Sequence, residues 1–186
     1  MTQVLSGKKI LILVANGVDE AAMSAAQREL LKTGAVIKTV GTEPGLVNSW
    51  NNNSWGLFFT VDQPLNMTLG SDFDYLVVPS GSRAVQKLSG TPHAERIISS
   101  FIDAGKHVAF MGDAVELLAK TGLAKGWRVA GPERIHQTMV AAGAEWQGNG
   151  ECVHNIVMSG DYTDVNALIQ NMVSYFAATV ELKAAA

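Results

Sequence analysis

Apolar residues in this chain fall into two alternating patterns. Short apolar runs occupy residues 9–15 (KILILVA), 74–79 (DYLVVP) and the first part of 106–120, and a further strand reads over 36–40 (VIKTV). Continuous runs of Val, Ile and Leu are how strands buried on both faces of a parallel sheet read. Between the runs, apolar residues recur at helical spacing. Met23, Ala26, Leu30 and Leu31 form one such stripe, and Ile97, Ile98, Phe101 and Ile102 another. A third comprises Val115, Leu118 and Ala119; the longest runs from Val165 through Ile169 and Met172 to Phe176. Asp19 and Glu20 open the first helix and Gly34 ends it; Thr91-Pro92 opens a later one that Gly105 closes. The same pattern predicts helices over 83–88, 132–142 and 161–180, a short strand over 128–130 and a last strand over 152–158. Repeated strand-then-helix order argues for an α/β layered domain with a largely parallel sheet and right-handed crossovers.

One stretch departs from the alternation. Trp50, Trp55, Phe58 and Phe59 flank the polar run Asn51-Asn52-Asn53-Ser54. Asn-rich turns between β-prone segments predict a hairpin outside the main sheet. Burying each such ring contributes roughly 1.5–3 kcal/mol. Either the hairpin covers the domain's own sheet, or its aromatics meet a second subunit.

Composition narrows the function classes. Hydrophobic residues make up 47% of the 186 and charged residues 17%, which fits one compact domain spanning 1–186. The net charge is −3, from 14 basic and 17 acidic residues, with no basic run to hold nucleic acid. A single cysteine, Cys152, excludes an intrachain disulfide and suits a reducing, cytoplasmic setting. The polar first nine residues hold no apolar signal core, and no apolar run reaches the ~20 residues of a membrane span.

The candidate chemistry centres on residues 106–120, where a strand passes into a helix through Gly112 and Asp113. That is the geometry of a nucleophile elbow, which holds one side chain up at the carboxyl edge of a sheet. Nucleophilic attack needs Ser, Cys or another attacking group there. Glycine instead relieves the ~1–3 kcal/mol of strain that such an apex stores. Asp113 reads first as an N-cap of the following helix, and second as a general base. Asp19 and Glu20 are ordinary first-turn acids, or partners of Asp113 in paired-carboxylate chemistry. Ser80-Gly81-Ser82 follows a buried strand and reads first as a simple turn, and second as amides that, assisted by Arg83, could hold an anion. No His or Cys stands at metal-ligand spacing beside these residues, so neither a metal nor a cofactor is expected. His136 and His154 read as structural or solvated, and Cys152 as a small buried hydrophobe.

The order of KILILVANGVDE, DYLVVPSG, GKHVAFMGDAVELLAKTGL and AAGAEW resembles the ThiJ/PfpI superfamily, also called class I glutamine amidotransferase-like, from Lys9 to Phe176. That resemblance implies a flavodoxin-like three-layer sandwich, commonly a homodimer. It also implies that the nucleophilic Cys of active members falls on Gly112, the adjoining His on Asp113, and the acid that supports the thiol on Ala22. Ser80-Gly81 stands where the oxyanion-side turn usually reads Gly-Gly. The Gly-Asp-Ala elbow is similar to the C-terminal domain of large-subunit catalases, which has the same fold and no nucleophile. Two functions are consistent with this: a non-catalytic dimeric domain acting in binding or stability, or a hydrolase or lyase on a small polar substrate using Asp113 with Asp19 or Glu20. In either, Ser80, Gly81, Ser82, Gly112 and Asp113 would line the small-molecule site.

Overall fold

The unbroken apolar runs become the inner strands of one sheet in the computed structural model, which describes residues 3–184. In chain order the strands are β1 (Lys9–Val14), β2 (Val18–Asp19), β3 (Val36–Gly41), β4 (Gly45–Asn51), β5 (Ser54–Val61) and β6 (Gln63–Pro64). They continue as β7 (Tyr75–Val78), β8 (Val108–Met111), β9 (Arg128–Val129), β10 (Glu145–Trp146), β11 (Glu151–His154) and β12 (Val157–Gly160). The helices are α1 (Glu20–Leu31), α2 (Ser82–Ser89), α3 (Pro92–Asp103), α4 (Glu116–Lys120), α5 (His136–Ala141) and α6 (Val165–Ala184).

Among the described residues the main sheet has seven strands in the order β11-β12-β8-β7-β1-β3-β6. β12, β8, β7, β1, β3 and β6 run parallel; only the edge pair β11/β12 is antiparallel. β7, β8 and β12 are buried throughout, as strands covered on both faces must be. From β1 the chain steps through α1 to β3 on one side; from β7 it steps through α2 and α3 to β8 on the other. Right-handed crossovers in opposite directions put their helices on opposite faces. Accordingly α1 packs on α6, while α2 packs on α3 and α4. This is the flavodoxin-like three-layer architecture.

The hairpin forms as expected, from β4 and β5, with Asn52 and Asn53 in the left-handed turn at φ 46° and 62°. Its sheet order is β2-β4-β5, so pairing with β2 ties it to the end of β1. The aromatics divide: Phe59 packs on the core, whereas Trp55 and Phe58 stay more than half exposed, with Leu46 and Leu57.

Three sequence expectations change. Residues 152–158 are not one strand; Asn155 takes φ 53° and reverses the chain between β11 and β12. Cys152 therefore lies half-buried on an edge strand, where burial still pushes its thiol up. The last helix begins at Val165, because Asp164 turns back to accept from the amides of Asn166 and Ala167. Leu31, read as part of a buried stripe, is 63% exposed at the end of α1.

Candidate functional site

The crossover reversal between β1 and β7 leaves a crevice at their carboxyl ends, the place where open α/β sheets bind ligands. A polar cavity of about 290 Å³ lies there. Each parallel strand delivers its own residues. Gly17 and Asp19 follow β1; Ser80, Gly81 and Ser82 follow β7; Gly112 and Asp113 follow β8; Asp161 and Tyr162 follow β12. Trp50 arrives from the hairpin, placed by its register opposite Asp19, and Arg134 from the turn before α5.

The two sides of the crevice are stitched together tightly. The Asp19 amide donates to the Ser80 carbonyl at 2.8 Å. At Gly81, φ is 135° and an added Cβ would stand 2.7 Å from both the Asp19 nitrogen and the Gly17 carbonyl, so only glycine fits. At Gly112, φ is 54°, and an added Cβ would meet the Ser80 Cβ at 3.0 Å and Tyr162 Cε1 at 3.4 Å. The space above this bend is thus partly filled. Ser80 Oγ and the Tyr162 hydroxyl share a hydrogen bond there. Burial, and then the charges of Asp19, Asp113 and Asp161, push the Tyr162 phenol far up, so it stays protonated.

Asp113 differs from its N-cap reading. It is 2% exposed and makes no capping bond to the turn that follows. Instead Oδ1 accepts from the Gly81 amide at 2.8 Å and Oδ2 from the Arg134 guanidinium at 2.7 Å. The cap is lost because Gly112–Val115 is a 3₁₀ turn, which swings the carboxylate across to β7. The Arg134 side chain is 61% exposed, so water screens this ion pair from one side.

The two other candidate carboxylates separate. Asp19 caps α1 through Oδ1, bonded to the Ala22 amide at 2.8 Å, and also lines the cavity. Glu20 faces the hairpin, accepting from the Leu57 amide and Ser49 hydroxyl at 2.7 Å and the Asn51 amide group at 2.9 Å. Those bonds hold its carboxyl below the ordinary carboxylate value, the Leu57 amide first. Ser80, Gly81, Ser82, Gly112 and Asp113 all reach the cavity wall. Arg83 does not point to the turn amides; its guanidinium lies 3.8 Å over the Trp50 ring. His136 pairs with Glu133 and stacks on Trp146, while His154 accepts from the Arg128 amide, both away from the cavity.

Sequence reading missed Arg134, Asp161, Tyr162, Trp50 and Gly17. Asp161 and Tyr162 could have been found, since a residue just past a parallel strand's carboxyl end sits at the crevice. Extending the last helix back to residue 161 hid them. Nothing local marks Arg134; the bond from the Ala130 amide to Ser159 Oγ, 2.9 Å, anchors its segment beside β12.

A three-layer, flavodoxin-like fold with a polar crevice at the sheet's reversal point defines the class. Residues 8–174 match the DJ-1/PfpI family, and the chain belongs to it. Deglycase PfpI of Pyrococcus furiosus is 27% identical over 138 residues, 74% of this chain and 80% of that one. A ThiJ/PfpI domain protein from Brachyspira murdochii has the same fold, with a TM-score of 0.83 at 15% identity over 93% of this chain and 98% of that one. A two-domain protein from Anabaena variabilis, with DJ-1/ThiJ/PfpI-like and ferritin-like domains, gives 0.80 at 21% identity; it covers 89% of this chain, which matches 47% of that one.

Proposed function

We propose that this chain is a non-catalytic DJ-1/PfpI-family domain, a dimer that holds a small molecule in the crevice and does not transform it by thiol chemistry. The observation that carries this reading is the corner itself. Gly112 takes a left-handed φ of 54° with Ser80 and Tyr162 packed over it, so the apex residue itself brings no attacking side chain. Beside it, Asp113 takes up the Gly81 amide and one N–H of Arg134. The exposed Leu46, Trp55, Leu57 and Phe58 of the hairpin support a dimer contact, since apolar patches of that kind mark interaction surfaces. Among the described residues no helix is long and apolar enough to cross a membrane. The single cysteine and modest charge fit a cytoplasmic setting.

The other reading is a hydrolase or lyase using Asp113 with Asp19, favoured by the presence of both carboxylates on one polar cavity. Glu20 takes no part in it, being turned to the hairpin. Purified protein assayed for peptide hydrolysis and for methylglyoxal conversion decides between them. No turnover above background is expected. Turnover that disappears in Asp113→Asn would overturn the non-catalytic reading and establish the second.

A further inference from the structure

Asn-Gly pairs are chemically vulnerable points in a chain. Glycine has no side chain to crowd its own amide nitrogen, so that nitrogen can reach the carboxamide carbon of the asparagine before it. This chain holds two such pairs, Asn16-Gly17 and Asn149-Gly150. The fold treats them in opposite ways.

The first pair is locked. Gly17 is buried, and its amide donates to the Asn48 carbonyl at 2.8 Å. The Asn16 carboxamide is held at both ends: Oδ1 accepts from the Asn48 amide at 2.7 Å, and Nδ2 donates to Glu43 at 3.3 Å. A Cβ added to Gly17 would stand 2.3 Å from the Arg83 Cβ, so the peptide has no room to turn. Both groups that would have to meet are tied down.

The second pair is free. It lies between β10 and β11, and both residues are exposed. Among the described residues, neither the Asn149 side chain nor the Gly150 amide has a hydrogen-bond partner. No heavy atom lies within 4 Å of a Cβ added to Gly148 or Gly150, which leaves space for a ring to close. The carbonyls on either side are engaged: Gly148 accepts from the Gly131 amide at 3.1 Å, and Gly150 from the Asp161 amide at 3.2 Å. Gly131 precedes the turn that carries Arg134, and Asp161 lines the crevice.

We propose that Asn149 is a site of spontaneous covalent modification, with water as the only co-reactant, and that the fold protects Asn16 from the same reaction. The deprotonated Gly150 nitrogen attacks the Asn149 Cγ. A C–N bond forms, the carboxamide nitrogen leaves as ammonia, and a cyclic imide closes. Water then adds to one of the two imide carbonyls and opens the ring, giving an aspartyl or an isoaspartyl residue. Nothing is oxidised or reduced. Either product adds a carboxylate, and the isoaspartyl form also lengthens the backbone between the Gly148 and Gly150 carbonyls. The bonds to Gly131 and Asp161 loosen, and with them one edge of the crevice.

The test ages the full chain, warm and at mildly alkaline pH, in ordinary and in heavy-oxygen water, and maps its peptides by mass spectrometry. The Asn149 peptide should convert from amide to acid, taking up one heavy oxygen and releasing one ammonia, faster as pH rises. Asn16 should convert at least about tenfold more slowly, because attack there must first break its three hydrogen bonds. In the guanidinium-unfolded chain the two should convert at similar rates, which separates protection by the fold from the effect of sequence. Gly150→Ala should slow conversion severalfold and keep the fold, since its Cβ meets nothing within 4 Å. The backbone amide resonances of Gly131 and Asp161 should shift in the aged chain and stay in place in similarly aged Gly150→Ala. Equal conversion of Asn16 and Asn149 in the folded chain would overturn the proposal, and so would an Asn149 that converts only when the chain is unfolded. Unshifted Gly131 and Asp161 resonances in fully converted chain would refute the link to the crevice edge.

Discussion

Placing a single methyl group on the bend between β8 and α4 probes the reasoning at its centre. In Gly112→Ala the new side chain must adopt φ near 54° and sit 3.0 Å from the Ser80 Cβ and 3.4 Å from Tyr162 Cε1. The left-handed conformation costs about 1–2 kcal/mol for a residue with a Cβ. Crowding into a filled space costs about 1–3 kcal/mol more. Reduced freedom of the unfolded chain offsets about 0.4–1 kcal/mol. The net loss is about 1–4.6 kcal/mol, or a fall in Tm of ~2–18 °C at about 2–4 °C per kcal/mol for a chain of this size. Gly122 is the control: its φ is 74°, but no heavy atom lies within 4 Å of its added Cβ. Gly122→Ala carries the strain without the crowding, so urea denaturation of both variants isolates the contact with Ser80 and Tyr162. Gly112→Cys should suffer the same loss and gain no glyoxal turnover, because the Gly81 amide beside it remains committed to Asp113. Equal losses at the two glycines, or a Gly112→Ala loss below ~0.5 kcal/mol, would refute the packed, left-handed corner.

Two further outcomes concern protons. Glu20 is held below its ordinary value of 4.5 by bonds that need its carboxylate, so its contribution is present above that value and lost as pH falls through the lower folded one. Exchange protection of the Leu57 amide should therefore fall in acid before that of Leu11 in β1, and Glu20→Gln should remove the pH dependence; parallel loss at both amides would contradict this. All three tyrosines, Tyr75, Tyr162 and Tyr175, are pushed above the ordinary 10.0 chiefly by burial. The stability gained by keeping them neutral is complete below that value and is lost as pH rises toward the folded ones. Tyrosinate absorbance should appear only together with alkaline unfolding, and a smooth titration near pH 10 in folded protein would be the contrary result.

Much of the fold was legible because strand and helix signals are local. The run from Lys9 to Val14 has no polar residue beyond the first, so it had to lie between two covered faces. Asn52 and Asn53 tolerate left-handed backbone, which fixed the hairpin's turn. The errors fell where a single residue redirected the chain. Asn155 broke one strand into two, and Asp164 moved a helix start past Tyr162.

The sequence by itself determined the alternation of strands and helices, the family-like order of its segments, and a glycine at the corner between β8 and α4. Only the tertiary structure decided what Asp113 does. A cap and a cross-strand ion pair look identical along the chain, because the side chain's nearest local donors and its distant ones differ only in space. The bend after Met111 swings the carboxylate to Gly81 and Arg134, 32 and 21 residues away. Folding thereby turned a residue that local rules assign to a helix end into a bridge between the turn after β7 and Arg134.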